Sequence, residues 1–102
     1  FQIYKDRVYT ITRRNRKDFL EKWDGYDYYD GEYIKDNLKL DYHHRLYPTI
    51  DHIVTISYGF HNNIDVKEIA KSENLAITKK GINCSRGNKN YDLFLESFNK
   101  VI

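Results

Sequence analysis

A segment rich in β-branched residues lies near the middle of the chain and constrains its fold more than any other feature. Residues 49–58 read Thr-Ile-Asp-His-Ile-Val-Thr-Ile-Ser-Tyr, and Gly59 follows them. Because β-branched side chains favour extended backbone, this segment predicts a strand. Residues 75–78, Leu-Ala-Ile-Thr, predict a second strand. Together the two segments predict a β-hairpin that a helix can cap.

Capping and periodicity signals predict helices on the carboxyl-terminal side of the first strand. The Asp-Val-Lys-Glu sequence at 65–68 resembles a capping box and predicts a short helix through Lys71. Residues 79–90 predict a helix after the second strand, although the two glycines within this range disfavour one. Apolar side chains at helical spacing predict a further helix over 91–102.

The amino-terminal part of the chain predicts shorter elements. Weak alternation of apolar and polar residues predicts a strand over 4–11. Asn15 is a suitable N-cap for a helix over 16–23, and Gly25 stands just beyond its end. Asp-Gly pairs within 24–32 predict turns. The expected fold class is therefore α+β.

Length and composition predict one domain over residues 1–102. Cys84 is the only cysteine, which excludes an intramolecular disulfide and a multi-cysteine zinc site. A single cysteine and the lack of a visible signal peptide favour a cytoplasmic protein. No apolar run approaches the length of a membrane span, so we expect no membrane partner. Because the sequence begins with Phe1, we interpret it as a domain of a longer protein, whose other domains are potential partners.

Two basic clusters stand out against a formal net charge of only +2, which is too small to indicate a nucleic-acid partner by itself. The first lies in a stretch without acidic residues and consists of Lys79, Lys80, Arg86 and Lys89. The second consists of Arg13, Arg14, Arg16 and Lys17. A solvated face is the simplest interpretation of such clusters. The cluster of Lys79, Lys80, Arg86 and Lys89 is an exception to this interpretation, because it overlaps the candidate site described below.

The dipeptide Asp51-His52 carries the chemistry that the sequence suggests. Hydrolysis of a phosphodiester needs a base for the attacking water and positive charge for the developing negative charge. Imidazole suits the first task, and a divalent cation held by oxygen ligands suits the second. On an extended strand, however, neighbouring side chains point to opposite faces. The dipeptide can serve one site only if the strand bends or ends there.

Three short motifs resemble those of the HNH nucleases. The family typically shows Asp-His-Ile-x-Pro, then Asn-Leu, then Asn-x-x-Lys-Gly. This chain has Asp-His-Ile-Val-Thr at 51–55, Asn-Leu at 74–75 and Asn-Cys-Ser-Arg-Gly at 83–87. The resemblance covers about residues 47–90. Thr55 stands where the family usually has proline, and the cysteine pairs that hold zinc in other members are absent, so we expect aromatic packing to hold the fold instead.

The resemblance implies a ββα-metal core, made of the hairpin and a helix, with flanking helices. It implies that His52 is the general base and that Asn74 pins the loop after it. Asp51 and Asn83 would bind one divalent metal ion, most simply Mg²⁺ and alternatively Mn²⁺. Contacts with phosphates would come from the basic residues Arg86, Lys79, Lys80 and Lys89. The expected activity is that of a metal-dependent endonuclease that hydrolyses double-stranded DNA.

Two other functions compete with this interpretation. The same fold could serve as a non-catalytic nucleic-acid-binding module, which would have no need of a base beside a metal ligand. A third interpretation is a protein-interaction domain that uses the acidic, tyrosine-rich segment 24–33. His43 and His44 could line the nuclease site, although solvent exposure is the simpler expectation. An assay for cleavage of nucleic acid would distinguish the enzyme from both binding modules.

Overall fold

A two-stranded antiparallel sheet lies beside four α-helices in residues 1–87, the part of the chain that the computed structural model describes. This arrangement agrees with the α+β class that the sequence predicts. The elements in chain order are α1 (Gln2–Lys22), β1 (Pro48–His52), α2 (Ile56–His61), α3 (Val66–Ala70), β2 (Leu75–Lys79) and α4 (Lys80–Arg86). Short 3₁₀ helices at Lys35–Lys39 and Ser72–Asn74 complete the set within these residues.

Helix α1 replaces the strand predicted over 4–11, so that prediction is wrong. The helix predicted over 16–23 is present as the carboxyl-terminal part of α1, but its predicted start after Asn15 is wrong because α1 begins at Gln2. Tyr4, Val8 and Ile11 recur at helical spacing and pack against the apolar core that α2 and α3 provide. Burial of this stripe outweighs the local preference of its β-branched residues for extended backbone. Although α1 is 21 residues long, no helix within residues 1–87 has the length and hydropathy of a bilayer span.

The hairpin joins β1 and β2 in antiparallel register, with His52 opposite Leu75 and Pro48 opposite Lys79. The second predicted strand is confirmed. The first strand is half as long as predicted, because the chain turns into α2 soon after His52. The side chain of Thr55 caps α2 by accepting a hydrogen bond from the Tyr58 backbone N–H at 3.1 Å. A capping hydroxyl thus ends the extended run that the β-branched pattern predicts.

Helices α3 and α4 follow the sequence prediction closely. Asp65 caps α3 by accepting from the backbone N–H of Lys67 at 2.8 Å, which confirms the helix start predicted at 65–68. Helix α4 begins at Lys80 and ends at Arg86, and its C-cap residue Gly87 has a φ of 53°, which suits glycine. Residues 88–90 of the predicted 79–90 helix and the helix predicted over 91–102 lie outside the described residues.

A glycine allows α1 to approach α2 closely. A Cβ atom at Gly59 would lie 2.5 Å from the hydroxyl oxygen of Tyr4 and 2.6 Å from Cγ1 of Ile69. The Tyr4 hydroxyl also donates a hydrogen bond of 2.8 Å to the carbonyl oxygen of Ile64. Tyr4 therefore fastens the amino-terminal end of α1 to the segment between α2 and α3.

The loop before the hairpin is fastened to β2 by a buried carboxylate. Asp27 is 2% exposed, and its two oxygens accept from the Thr78 hydroxyl at 2.9 and 3.0 Å and from the Lys79 backbone N–H at 3.0 Å. The Lys79 ammonium group contacts Asp30 and lies 3.0 Å from Glu32. The expectation that aromatic packing alone holds the fold is therefore incomplete, because buried charges share that task.

Candidate active site

The carboxyl-terminal end of β1 and the facing side of α4 line one cavity of about 160 Å³. Asp51 and His52 come from the strand, and Asn83 comes from the helix. Strand β1 ends at His52, and both neighbouring side chains line the same cavity. A site shared by Asp51 and His52 requires the strand to bend or end at this dipeptide, and β1 ends there.

Among residues 1–87, Asp51 engages one of its two carboxylate oxygens in hydrogen bonds. Its Oδ2 accepts from Nη1 of Arg86 at 2.6 Å and from the hydroxyl group of Tyr29. Its Oδ1 accepts no hydrogen bond from residues 1–87. Asp51 is 6% exposed and lines the cavity, so this second oxygen is the one available to a water or a cation.

His52 is held by a hydroxyl group from α1. Its Nε2 lies 3.0 Å from Oγ1 of Thr12, and the same hydroxyl lies 2.9 Å from the carbonyl oxygen of Val8. A hydroxyl has one proton, and the Val8 carbonyl can only accept it. We therefore assign the proton of the imidazole to Nε2, which donates to Thr12 and leaves the lone pair on Nδ1. Tyr9 packs edge-on against the imidazole, with ring centroids 5.9 Å apart.

The imidazole of His52 is neutral at physiological pH. Burial lowers the pKa of His52 to about 4, the negative charge of Asp51 partly opposes this shift, and the positive charge of Arg86 adds to it. A neutral imidazole is the form that a general base requires.

Asn83 projects from α4 toward β1. Its Nδ2 donates to Oγ1 of Thr49 at 3.1 Å and to the carbonyl oxygen of Ile50 at 3.3 Å. Among residues 1–87, no donor bonds its Oδ1. The two hydrogen bonds from Nδ2 fix the plane of the amide group. They therefore hold Oδ1 in position while leaving it without a donor among these residues.

Asn74 contacts the loop after His52 rather than the cavity. Its side chain accepts from the Val54 backbone N–H at 2.7 Å and donates to the carbonyl oxygens of Val54 at 3.0 Å and Ile69 at 2.8 Å. Its own carbonyl oxygen accepts from Ile53 N–H at 2.8 Å. The loop-pinning contacts expected of Asn74 are present, and any effect of Asn74 on the chemistry acts through this loop.

Arg86 differs from the phosphate contact that the resemblance implies. Its side chain is fully buried and donates to Asp51, to the carbonyl oxygen of His52 at 2.7 Å and to that of Ile53. The phosphate contact expected of Arg86 stays a prediction, since the structure shows its guanidinium group engaged with protein groups. Arg86 braces the end of β1, because it joins α4 to the backbone on both sides of the His52–Ile53 peptide bond.

Lys79 and Lys80 are also engaged within the protein. Lys79 is 7% exposed and surrounded by the carboxylates of Asp30, Glu32 and, at 3.8 Å, Asp27. The Lys80 ammonium group donates to the backbone carbonyl oxygen of Tyr42 and lies 4.0 Å from the centroid of the Tyr42 ring. Lys79 is therefore an ion-pair partner within the fold, and its expected phosphate contact stays a prediction. Lys89 lies outside the described residues.

Two other groups at the site were absent from the sequence prediction. Thr12 and Tyr29 contact His52 and Asp51 from segments far away in the chain. Helical spacing of Tyr4, Val8 and Thr12 was the available signal for the first. No local pattern marks Tyr29, because its role depends on the fold of the 24–33 loop. His43 and His44 are exposed and line neither this cavity nor the one that adjoins it.

The donor atoms around the cavity match an ion that keeps most of its water. Within residues 1–87, no three His, Cys, Asp or Glu side chains come together as a metal cluster. Asp51 and Asn83 each offer one side-chain oxygen, which is a small ligand set of the kind that Mg²⁺ accepts alongside waters and phosphate oxygens. The positive charge of Arg86 beside Asp51 opposes a second cation there. We therefore expect metal to bind more tightly when a phosphate is present.

Comparisons of the chain with protein-family models, with curated proteins and with solved structures gave no match.

Proposed function

We propose that this chain is a metal-dependent endonuclease domain that hydrolyses phosphodiester bonds in DNA. The observation that carries the proposal is the convergence of Asp51, His52 and Asn83 on one cavity. A carboxylate oxygen, an imidazole lone pair and an amide oxygen are the groups that such a reaction requires.

The order of elements around the cavity supports the finer assignment to the ββα-metal arrangement of HNH nucleases. Strands β1 and β2 pair in antiparallel register, and α4 follows β2 directly. The side chain of Asn83 bonds back from this helix to Thr49 and Ile50 of β1. The hairpin and the helix thus act as one unit, with the candidate base at the end of its first strand.

The proposed chemistry assigns one task to each side chain. Nδ1 of His52 accepts the proton of the attacking water, while Thr12 fixes the other ring nitrogen. One divalent cation, held by the available oxygens of Asp51 and Asn83, would supply positive charge for the phosphoryl oxygens and for the leaving oxygen. Asn74 and Arg86 hold the backbone on either side of His52, so that the imidazole keeps its orientation.

Substrate binding adjusts the basicity of His52. A base with a pKa of about 4 is weaker than the optimum for catalysis near neutral pH. A negatively charged phosphodiester in the cavity would favour the protonated imidazole and raise the pKa of His52. The low pKa in the free protein keeps the imidazole neutral, which is the form that can accept a proton from water.

Nicking of supercoiled plasmid by the parent and by His52→Ala tests the proposal. We expect nicking by the parent with Mg²⁺ or Mn²⁺, none in EDTA, and a loss of roughly 10²–10⁴-fold in His52→Ala. His61→Ala is a matched control, because His61 is exposed and contacts the carbonyl oxygen of Ser57 in α2. Undiminished cleavage by a folded His52→Ala sample would remove the general base and with it the proposed mechanism.

One observation favours a non-catalytic DNA-binding module as the second candidate. Arg86 already supplies a positive charge to Asp51, which lessens the attraction of that carboxylate for a cation. On this alternative, the site would be a structural ion pair beside a DNA-binding surface. DNA binding that weakens with salt, without cleavage in any divalent metal, would identify it.

A further inference from the structure

One face of α1 forms a continuous wall beside the candidate site. Lys5 and Tyr9 line the first cavity together with Asp51 and His52. A second cavity of about 430 Å³ adjoins the first. The residues of α1 that line it are Tyr9, Thr12, Arg13 and Arg16. His52 and Asn83 line both cavities, so the two form one groove with these side chains at its centre.

The spacing of these α1 residues follows the helix. Positions 5, 9, 12, 13 and 16 recur at intervals of three and four and therefore share one face. Arg7 and Arg14 lie on the opposite face, and neither of them lines the groove. The basic cluster of α1 is thus divided between two faces, and only one part is directed at the site.

The cations on the groove face are available to a ligand. Within residues 1–87, no carboxylate forms an ion pair with Lys5, Arg13 or Arg16. By contrast, Lys79 and Arg86 are buried against carboxylates. A positively charged groove with unpaired cations complements a polyanion.

We infer that α1 is the substrate-binding wall of the groove, on which the sugar–phosphate backbone of a polynucleotide lies. The inference rests on the proposed function for the position of the scissile phosphate beside His52. Lys5 contacts the backbone on one side of that phosphate, and Arg13 and Arg16 contact it on the other. These contacts replace those expected from Lys79 and Arg86.

The length of the wall sets the size of the bound segment. Arg16 lies eleven positions after Lys5, which is about 16 Å along a helix that rises about 1.5 Å per residue. B-form DNA rises about 3.4 Å per nucleotide of each strand, so the wall spans roughly five nucleotides. His52 contacts α1 at Thr12, within this span.

A pair of double variants tests the wall by removing equal charge from the two faces of α1. Arg13→Ala/Arg16→Ala removes two cations from the groove face, and Arg7→Ala/Arg14→Ala removes two from the opposite face. Affinity for a short fluorescent DNA duplex is measured by anisotropy over a range of salt concentrations, in EDTA so that no cleavage occurs. Circular dichroism confirms that each full-length variant is folded.

We expect the groove-face variant to bind about tenfold or more weakly and to lower the salt slope by about two, because two phosphate contacts are lost. The opposite-face variant should keep nearly the parent's slope. Arg13→Lys/Arg16→Lys should restore most of the affinity, which separates lost charge from a damaged helix. Equal losses in the two alanine variants, or no DNA binding by the parent, would overturn the inference.

Different experimental results would overturn the substrate-binding role of α1 and the proposed nuclease activity. If the parent binds DNA with the expected dependence on the groove face but never cleaves, the wall stands and the nuclease fails. If the parent nicks plasmid with metal and both alanine variants nick equally well, the nuclease stands and the wall is overturned.

Discussion

Two buried aspartates at opposite ends of the hairpin perform different tasks with similar partners. Asp27 packs at the Lys79 end, and Asp51 lies at the His52 end beside Arg86. Asp27 uses both carboxylate oxygens, whereas Asp51 uses only Oδ2 within the described residues. A saturated carboxylate holds the fold together. A carboxylate with one oxygen open to a cavity retains the capacity to bind something else.

The same contrast extends to the cations at the two ends. Lys79 is surrounded by three carboxylates, and no cavity of the candidate site reaches it. Among residues 1–87, Arg86 donates to the carboxylate of Asp51, to the Tyr29 hydroxyl and to the backbone carbonyl groups of His52 and Ile53, and its neighbours Asp51 and Gly87 line the cavity. Burial of an ionic group therefore does not separate structure from function in this protein. The difference between the two ends is the Asp51 oxygen that no donor among residues 1–87 engages.

The largest effect that we expect is on the activity of Asp51→Asn. Loss of the carboxylate charge should reduce plasmid cleavage by roughly a thousandfold, because the metal ion would lose its charged ligand. The substitution also weakens the partner of Arg86, so activity is measured at a temperature where circular dichroism shows folded protein. Asp27→Asn is the control under the same conditions. An equal loss of cleavage in the two folded variants would erase the functional distinction between the two ends.

Asp27→Asn should instead have its main effect on stability. Removal of one partner from a buried ionic cluster costs about 3–5 kcal/mol in free energy of unfolding. Urea denaturation measures this loss. Asp24→Asn is the control in the same loop, because Asp24 is exposed and accepts one bond from the Tyr26 backbone N–H. A loss below about 1 kcal/mol for Asp27→Asn would show that this end of the hairpin does not depend on the carboxylate.

The free energy of unfolding should also fall at acidic pH because of His52. The pKa of His52 is about 4 in the folded protein against 6.5 for the free side chain, so the unfolded chain binds more protons between these values. The stability contributed by neutral His52 is therefore complete above pH 6.5 and declines by about 3 kcal/mol as pH falls to 4.

Urea denaturation at several pH values isolates this contribution. Other groups also titrate over this range, so the quantity of interest is the difference between the parent and His52→Gln. The variant should lack the His52 part of the decline, whereas His61→Gln should keep the parent's full pH dependence. Parallel curves for the parent and His52→Gln would contradict a buried, neutral imidazole.

The smallest effect concerns the hydroxyl group that holds His52. Thr12→Val keeps the shape of the side chain and removes the bond to Nε2, so cleavage should fall by about tenfold, or ~1.4 kcal/mol. Thr10→Val is the control on α1, because among residues 1–87 its hydroxyl bonds only the carbonyl oxygen of Asp6, at an exposed position.

Nitrogen NMR of the His52 ring distinguishes positioning from a general loss of stability. The parent should show the tautomer with the proton on Nε2, and Thr12→Val should show a mixture. A mixture already present in the parent would show that Thr12 does not select the tautomer.

The sequence predicted the hairpin and α3 because their signals are local. The β-branched pattern gave both strands, and the Asp65 cap gave the start of α3. The same pattern overextended the first strand, since the capping hydroxyl of Thr55 ends it. The amino-terminal half of helix α1 was missed because its β-branched residues favour strands locally. The partner that selects a helix, the core formed by Ile56 and Ile69, is contributed by a later part of the chain.

The candidate site could be predicted only in part, because some of its residues lie in local motifs and others depend on contacts distant in the sequence. Asp51, His52 and Asn83 follow from local motifs, and the structure brings them to one cavity. The burial of Arg86 could not be predicted, because its partner Asp51 lies 35 positions away. The groove face of α1 depended on a helix that the local pattern did not reveal. Composition identified basic clusters correctly but not which of their charges are already neutralised.

The absence of a side chain at Gly59 has a consequence for how this chain can vary. A single methyl group there would meet Tyr4 and Ile69, and the core around Ile69 leaves it little freedom to move. We expect the amino-terminal end of α1 to shift away from α2 in such a variant. Position 59 does not line the groove, so a substitution there would change the distance between α1 and its neighbours without altering any residue of the groove itself.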